Sequence, residues 1–359
     1  MTVCNVTTIS WQWLRFRLYL VTMSKLAQAQ AIPPPNPLEE LTAHLSDDMK
    51  SVNALILERM NSEVPLIPQL AGYLIAAGGK RIRPLMTLAS TRLFDQTTDR
   101  PYRLATAVEF IHTATLLHDD VVDESDQRRG QASANTLFGN QSSVLVGDFL
   151  FSKSFELMVE DGSIDVLDIL SKTSAVIAEG EVLQLSIQNT LETTLDQYLQ
   201  VISAKTAALF AAACEIGPVI TGQPSEIRQA MRNYGHHVGI AFQIADDVLD
   251  YQSNTKELGK SIGDDFKEGK MTAPVIFAYE FADEKGKKFW IRTFEQKELT
   301  EKDLEHAQKL IKTTGSSQKT LDLAQNHIKL AQNALKNVGD SEMKSILHQL
   351  ADYALTRKN

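Results

Sequence analysis

The sequence predicts an all-α protein built as a single large bundle of helices. Three observations predict it. From Leu38 onward apolar residues recur at threes and fours, the period of a helix that buries one face. Glycine and proline breaks divide these runs at helix-length intervals, as helix stops do. Strict alternation, the mark of a half-buried strand, is scarce, and no repeat with a solenoid period of roughly 20–50 residues is visible.

Residues 1–37 read as an N-terminal arm and residues 38–359 as the domain. Within the arm, Trp11 to Met23 is apolar but carries Arg15 and Arg17, and a polar-alanine stretch follows to Ala31. That run is too short and too charged to span a bilayer, and its arginines interrupt what would be a signal-peptide core. A dispensable start with Met23 as the true first residue, a peripheral arm and a targeting segment all stay open. Pro33, Pro34, Pro35 and Pro37 close the arm.

Within the domain, Leu41, Leu45, Met49, Val52 and Leu55/Ile56 form the first helical stripe. Tyr73 and Ile75, then Val108, Ile111 and Thr115, lie in further apolar runs. Ser171 to Gln188 reads as one long helix, weakened by Gly180 in its interior. Breaks are expected at Gly78-Gly79, Gly139, Asp161-Gly162, Gly217-Pro218, Gly222-Gln223-Pro224, Gly259 to Gly263 and Gly315. After Glu280 lysines become frequent while Ala324, Ile328, Ala331 and Leu335 keep helical spacing, which predicts a covering layer of amphipathic helices.

The 359 residues, 43% of them hydrophobic, suffice for a large core, and no linker is visible after the proline cluster. A net charge of −9 argues against nucleic acid as a partner. Two cysteines, Cys4 and Cys214, make no disulfide framework and suit a reducing compartment.

The chemistry concentrates in Leu117 to Gly130. Asp119, Asp120 and Asp123 fall at i, i+1 and i+4, and Arg128 and Arg129 follow. On a helix Asp119 and Asp123 share a face, ~6 Å apart along the axis. Carboxylates that close repel one another, and a divalent cation removes the cost. Oxygen ligands with room for water and phosphate suit Mg²⁺. One such run could equally be a solvated acidic helix end. A second copy, Asp246, Asp247 and Asp250, follows another apolar run. Two clusters facing each other could hold several Mg²⁺ ions around one polyphosphate, with Arg128 and Arg129 as anion forks.

Gly78-Gly79-Lys80-Arg81-Ile82-Arg83-Pro84 sets three cations in a turn where glycines let an anion approach the backbone. Surface exposure is the competing reading. His112 lies seven residues before Asp119 on the same stripe and is either a core residue or a phosphate contact; His118 reads as structural. Lys205-Thr206 interrupts an apolar helix, where a lysine either snorkels or meets a buried anion. Gln243 precedes Asp246 by three, and Lys260 and Lys270 lie in a Gly-rich acidic loop with Asp264 and Asp265.

With these motifs in this order, nearly all of Leu38 to the C-terminus resembles the trans-type polyprenyl diphosphate synthases, and the surroundings of Ser154 to Met158 and Ile177 to Leu185 resemble the octaprenyl and decaprenyl enzymes of quinone side-chain synthesis. The resemblance implies antiparallel helices around a central active-site cavity, a homodimer, a cytoplasmic location, and Mg²⁺-dependent elongation of an allylic diphosphate primer by isopentenyl diphosphate. It implies that Lys80, Arg83, His112 and Arg129 form the isopentenyl diphosphate pocket. Asp119 and Asp123, opposite Asp246 and Asp250, would be the Mg²⁺ platform, with Asp120, Asp247 and Lys205 in the same catalytic centre. Arg128, Lys205, Thr206, Gln243, Lys260 and Lys270 would add diphosphate contacts.

Ala114 and Thr115, five and four residues before Asp119, stand where a growing tail must pass. An aromatic there would block it, so a product of about C40 to C50 is expected over C15 to C20, with Phe155 and Met158 as tunnel floor. So apolar a product implies transient contact with a membrane surface on release. Three rivals remain. A terpene cyclase needs no isopentenyl pocket, which Lys80, Arg83 and His112 oppose. A di-iron oxidoreductase would use Glu109 and His112, yet needs a second Glu-x-x-His. A non-catalytic partner subunit would not need intact aspartates.

Overall fold

Helices make up almost every element, as the three-and-four spacing requires. The computed structural model describes residues 36–76, 78–94, 98–128, 130–252 and 263–356. The N-terminal arm up to residue 35, Arg129 and Lys260 lie outside these described residues. The residues from Pro37 on form one unit.

The chain opens with helices Pro37–His44, Ser46–Arg59, Leu66–Ala76 and Ile82–Arg92. Arg100–Val122 follows and ends at the first aspartate cluster. Asn140–Asp161 packs along it, and Ile164–Ile187 comes next. Leu195–Ile202, a π-helical turn Ser203–Ala207 and Ala208–Ile220 run on as one interrupted rod. Ala208–Ile220 touches Ile82–Arg92, Ile164–Ile187 and the longest helix, Ser225–Gln252. That last helix carries the second aspartate cluster and is covered by Ser316–Ala334. Ala324, Ile328, Ala331 and Leu335 are all fully buried in that cover, as their spacing requires.

Leu195–Ile220 is apolar and long enough to cross a membrane, but 61% of its most apolar window is buried inside the protein. Its composition therefore fits a core rod. Two departures from the sequence reading stand out. A short antiparallel ladder pairs Gln127 with Ala132 and Arg128 with Gln131, across a turn with Gly130 at φ 73°. Gly217-Pro218 does not break its helix, which continues to Ile220. Proline so close to a helix end leaves few bonds to lose, and the chain turns instead at Gly222, with φ 69°.

A second apolar cluster sits under the later helices. Phe266 lies 5.7 Å from Phe294 and 6.3 Å from Trp290, ring centre to ring centre. Such edge-to-face contacts add to simple burial. They anchor the short helix Asp264–Lys267, and with it the loop that carries Lys270.

Beneath the cover, the Nδ1 atoms of His237 and His327 are 3.1 Å apart, and the His236 ring lies 5.2 Å from that of His237. Burial pushes all three imidazoles below their ordinary value, His237 to about 4. The unfolded chain thus binds protons that the folded chain refuses between about pH 6.5 and 4, and stability falls as pH falls through that window. The urea midpoint should therefore drop between pH 7 and pH 4.5, and less so in His237→Gln. Equal drops in both proteins would remove the histidines from the account.

Candidate active site

The first aspartate cluster forms where the Arg100–Val122 helix ends. Asp119 lies in its last turn and Asp123 is the C-cap, whose N–H donates to the Asp119 carbonyl at 2.8 Å. Their carboxylates meet two lysines from elsewhere in the chain. Lys205 Nζ lies 3.3 Å from Asp119 and donates to Glu181 at 2.7 Å. Lys270 Nζ donates to Asp123 at 2.9 Å and also pairs with Glu268. Each lysine therefore joins one aspartate to one glutamate.

Local geometry explains how Lys205 gets there. The π-turn Ser203–Ala207 widens the rod at this point, a device common at functional sites. Gly180 lets the Ile164–Ile187 helix approach it closely, since a Cβ there would lie 2.6 Å from that of Ala204. Glycine in this helix interior is thus the condition for placing Glu181 beside Lys205.

Asp120 points elsewhere. It is 2% exposed, and Arg128 Nε and Nη2 hold its Oδ1 at 2.7 and 2.6 Å. Arg128, expected as an anion fork, and Asp120, expected in the catalytic centre, are thus paired with each other. The β-ladder delivers Arg128 to Asp120, and the pair braces the helix end.

The second cluster divides in the same way. Asp247 is buried and accepts from Tyr198 Oη at 2.5 Å and from Gln243 Nε2 at 2.8 Å. Thr206 Oγ1 donates to Gln243 Oε1 at 2.8 Å. Thr206 and Gln243, expected as diphosphate contacts, form a hydrogen-bonded chain that ends on Asp247. Asp250 Oδ2 accepts from the Asp265 N–H at 3.2 Å, which ties the cluster to the loop holding Lys270. The two aspartate clusters are thereby cross-linked twice: the neighbours Lys205 and Thr206 reach one cluster each, and the Asp264–Lys270 segment contacts Asp250 at one end and Asp123 at the other.

Burial, followed by neighbouring carboxylates, pushes Asp247 and Asp250 up to about 8 and Glu181 to about 7. Burial opposes the charge on Lys270, but Asp265, Asp123 and Glu268 outweigh it and hold the amine above its usual range. Negative charge thus exceeds what the cations here neutralise. Among the described residues no three His, Cys, Asp or Glu side chains already converge as a cage. A divalent cation that keeps water or phosphate oxygens needs only a few protein ligands. Asp119, Asp123, Asp246 and Asp250 are the oxygen donors such an ion could use.

The basic turn lies against the middle of the same helix. Arg83 Nη1 is 3.1 Å from His112 Nε2, and its guanidinium sits 4.5 Å over the Phe210 ring. Lys80 is exposed. Glu109 is paired with Arg81 and His112 with Arg83, so this Glu-x-x-His does not form a di-iron ligand pair. Glu181, Glu268 and Tyr198 carry no motif signal of their own, and Arg81, one of the three cations of the basic turn, carries no sign of its partner Glu109. Only the acidic flanks of Gly180 and Lys270 could have drawn notice to the two glutamates.

Ala114 and Met158 are buried in the main apolar cluster, with Phe155 packed against it. Thr115 Oγ1 donates to the His112 carbonyl at 2.8 Å. A cavity with room for about 50 Å³ of solvent lies beside this helix. Thr113, Leu116 and Leu117 are among the residues that line it, and none of the four expected tunnel residues does.

The family described as polyprenyl synthetase matches residues 64–311. The chain is 48% identical to the octaprenyl diphosphate synthase of Escherichia coli (strain K12) over 241 residues, 67% of this chain and 75% of that protein. A decaprenyl diphosphate synthase structure from Rhodobacter capsulatus superposes with a TM-score of 0.86 at 51% identity, covering 90% of this chain and 99% of that one. A polyprenyl synthase structure from Caulobacter crescentus CB15, complexed with calcium and isoprenyl diphosphate, gives a TM-score of 0.88 at 48% identity, covering 91% and 100%.

The raised carboxylates make metal binding pH-dependent. Their stabilising protons are lost as pH rises through about 7 to 8, and a cation would replace them. Mg²⁺ with inorganic pyrophosphate should raise Tm more at pH 8.5 than at pH 6.5 in a thermal melt. A shift independent of pH would mean that these carboxylates do not face the ion.

Proposed function

The chain belongs to the polyprenyl synthetase family, and we propose that it is a Mg²⁺-dependent prenyltransferase that extends an allylic diphosphate primer with isopentenyl diphosphate to a long all-trans product of about C40 to C50. The observation that carries the reading is the meeting of two aspartate clusters, cross-linked through Lys205-Thr206 and through the Asp264–Lys270 segment. The octaprenyl and decaprenyl names of the relatives support the product length. A role in making a quinone side chain is part of the same proposal.

Mg²⁺ held by Asp119, Asp123, Asp246 and Asp250 would neutralise the leaving diphosphate and polarise its bridging oxygen. Lys205 and Lys270 add fixed positive charge on the same side, with Lys260 as a further contact. Arg128, Gln243 and Thr206 act one step back by holding Asp120 and Asp247. Lys80, Arg83, His112 and Arg129 hold isopentenyl diphosphate so that its double bond faces the allylic carbon. As the carbon–oxygen bond to the leaving group breaks, that double bond forms the new carbon–carbon bond. The departing diphosphate takes the proton lost from the resulting cation, which restores an allylic diphosphate one unit longer. No protein nucleophile is required, so the rate comes from positioning and preorganised charge.

The working unit we propose is a homodimer. Leu145, Val159, Ile164 and Val182 stand 66–76% exposed on the consecutive helices Asn140–Asp161 and Ile164–Ile187, an apolar surface suited to a second copy. The protein would work in the cytoplasm and touch a membrane surface as the product leaves.

Purified protein given Mg²⁺, farnesyl diphosphate and labelled isopentenyl diphosphate should yield a ladder ending at octaprenyl to decaprenyl length. No incorporation would favour a subunit that needs a partner. Asp119→Ala and Asp246→Ala should each lower turnover by about 10²–10³-fold, the size of one lost transition-state charge contact; near wild-type rates in both would overturn the scheme. Ala114→Phe should shorten the product, and an unchanged ladder would place the tail on another helix stripe.

A further inference from the structure

We infer that Glu109 is a positioning residue for the isopentenyl diphosphate site, holding Arg81 in a left-handed backbone conformation and thereby setting where Lys80 and Arg83 point. The inference rests on the reading of the basic turn as that site. Gly78 and Gly79 enter the turn at φ 70° and 158°, which glycine does freely. Arg81 follows at φ 48°, ψ 34°, a region that residues with a Cβ seldom occupy unless the surroundings enforce it. The enforcing contact is visible. Arg81 Nη1 pairs with Glu109 Oε1, and the two side chains are only 19% and 8% exposed.

Glu109 and His112 are three residues apart and so share a face of the Arg100–Val122 helix. From that face Glu109 takes Arg81 while His112 meets Arg83 at 3.1 Å. Two side chains of one helix thus pin alternate residues of the turn, and Lys80 is left exposed beside them. Arg81 also starts the next helix: its carbonyl accepts the Leu85 N–H at 3.0 Å, and no side chain caps that helix. Relaxing Arg81 to an ordinary φ would therefore swing Gly78 to Lys80 relative to Arg83.

The test uses the full-length protein, with kinetics and with calorimetric binding of isopentenyl diphosphate, which needs no turnover. Glu109→Gln should weaken isopentenyl diphosphate by about tenfold in both KM and Kd, while kcat and the primer KM stay within about twofold. Adding Arg81→Gly should restore affinity to within about threefold, because glycine holds the left-handed conformation unaided. A mere packing loss or a direct ligand contact would not be rescued that way. Unchanged affinity in Glu109→Gln, or an equal loss in the double variant, overturns the inference. If Glu109→Gln does not fold, the double variant decides alone: near-normal affinity supports the inference and a tenfold loss overturns it. Lys80→Ala separates the underlying reading, since unchanged affinity there would show that the turn is not the site at all.

Discussion

Two rows of carboxylates cannot share a buried site unless positive charge lies between them. Two unit charges about 4 Å apart repel by about 4 kcal/mol at an effective dielectric of 20, a large part of a typical stability of about 5–15 kcal/mol. The protein answers with cations drawn from distant segments. Lys205 takes Asp119, Lys270 takes Asp123 and Arg128 takes Asp120. Even so Asp247, Asp250 and Glu181 remain pushed up by burial and by their neighbours. The site is built with negative charge in reserve, which is what a receiver of divalent cations and a diphosphate requires.

Much of the surrounding fold serves to bring those cations in. The π-turn sends the neighbours Lys205 and Thr206 toward different clusters. Gly180 removes the side chain that would keep Glu181 away. The aromatic cluster of Phe266, Trp290 and Phe294 fixes the segment ahead of Lys270. Within each aspartate triplet, the middle residue is buried and held by a dedicated partner, Arg128 or Tyr198. The outer two are the residues proposed to hold the cations. Motif and scaffold are interleaved residue by residue.

One helix serves both halves of the proposed reaction. The C-terminal end of Arg100–Val122 carries the aspartates, and its middle carries Glu109 and His112 against the basic turn. A rigid helix between the two anion sites keeps their separation constant, which favours alignment of a double bond with a departing diphosphate. The same helix rules out the di-iron alternative, because each member of its Glu-x-x-His is engaged by an arginine of the turn.

The sequence by itself determined the all-α class, the covering layer and the two carboxylate clusters. Periodicity and a repeated short motif are local properties, and Ala324, Ile328, Ala331 and Leu335 show how faithfully the spacing reports burial. It also marked Lys80, Arg83, His112, Lys205 and Lys270 as unusual in their settings. Which partner each would meet was not legible. Lys205 to Glu181, Thr206 to Gln243, Arg128 to Asp120 and Lys270 to Asp123 are contacts between residues from 8 to 147 positions apart, and no chain-local rule encodes them. The left-handed Arg81 and the helical Pro218 escaped for the same reason. Tertiary packing decided both, because only the folded chain supplies the buried Glu109 that holds one and the helix end that tolerates the other.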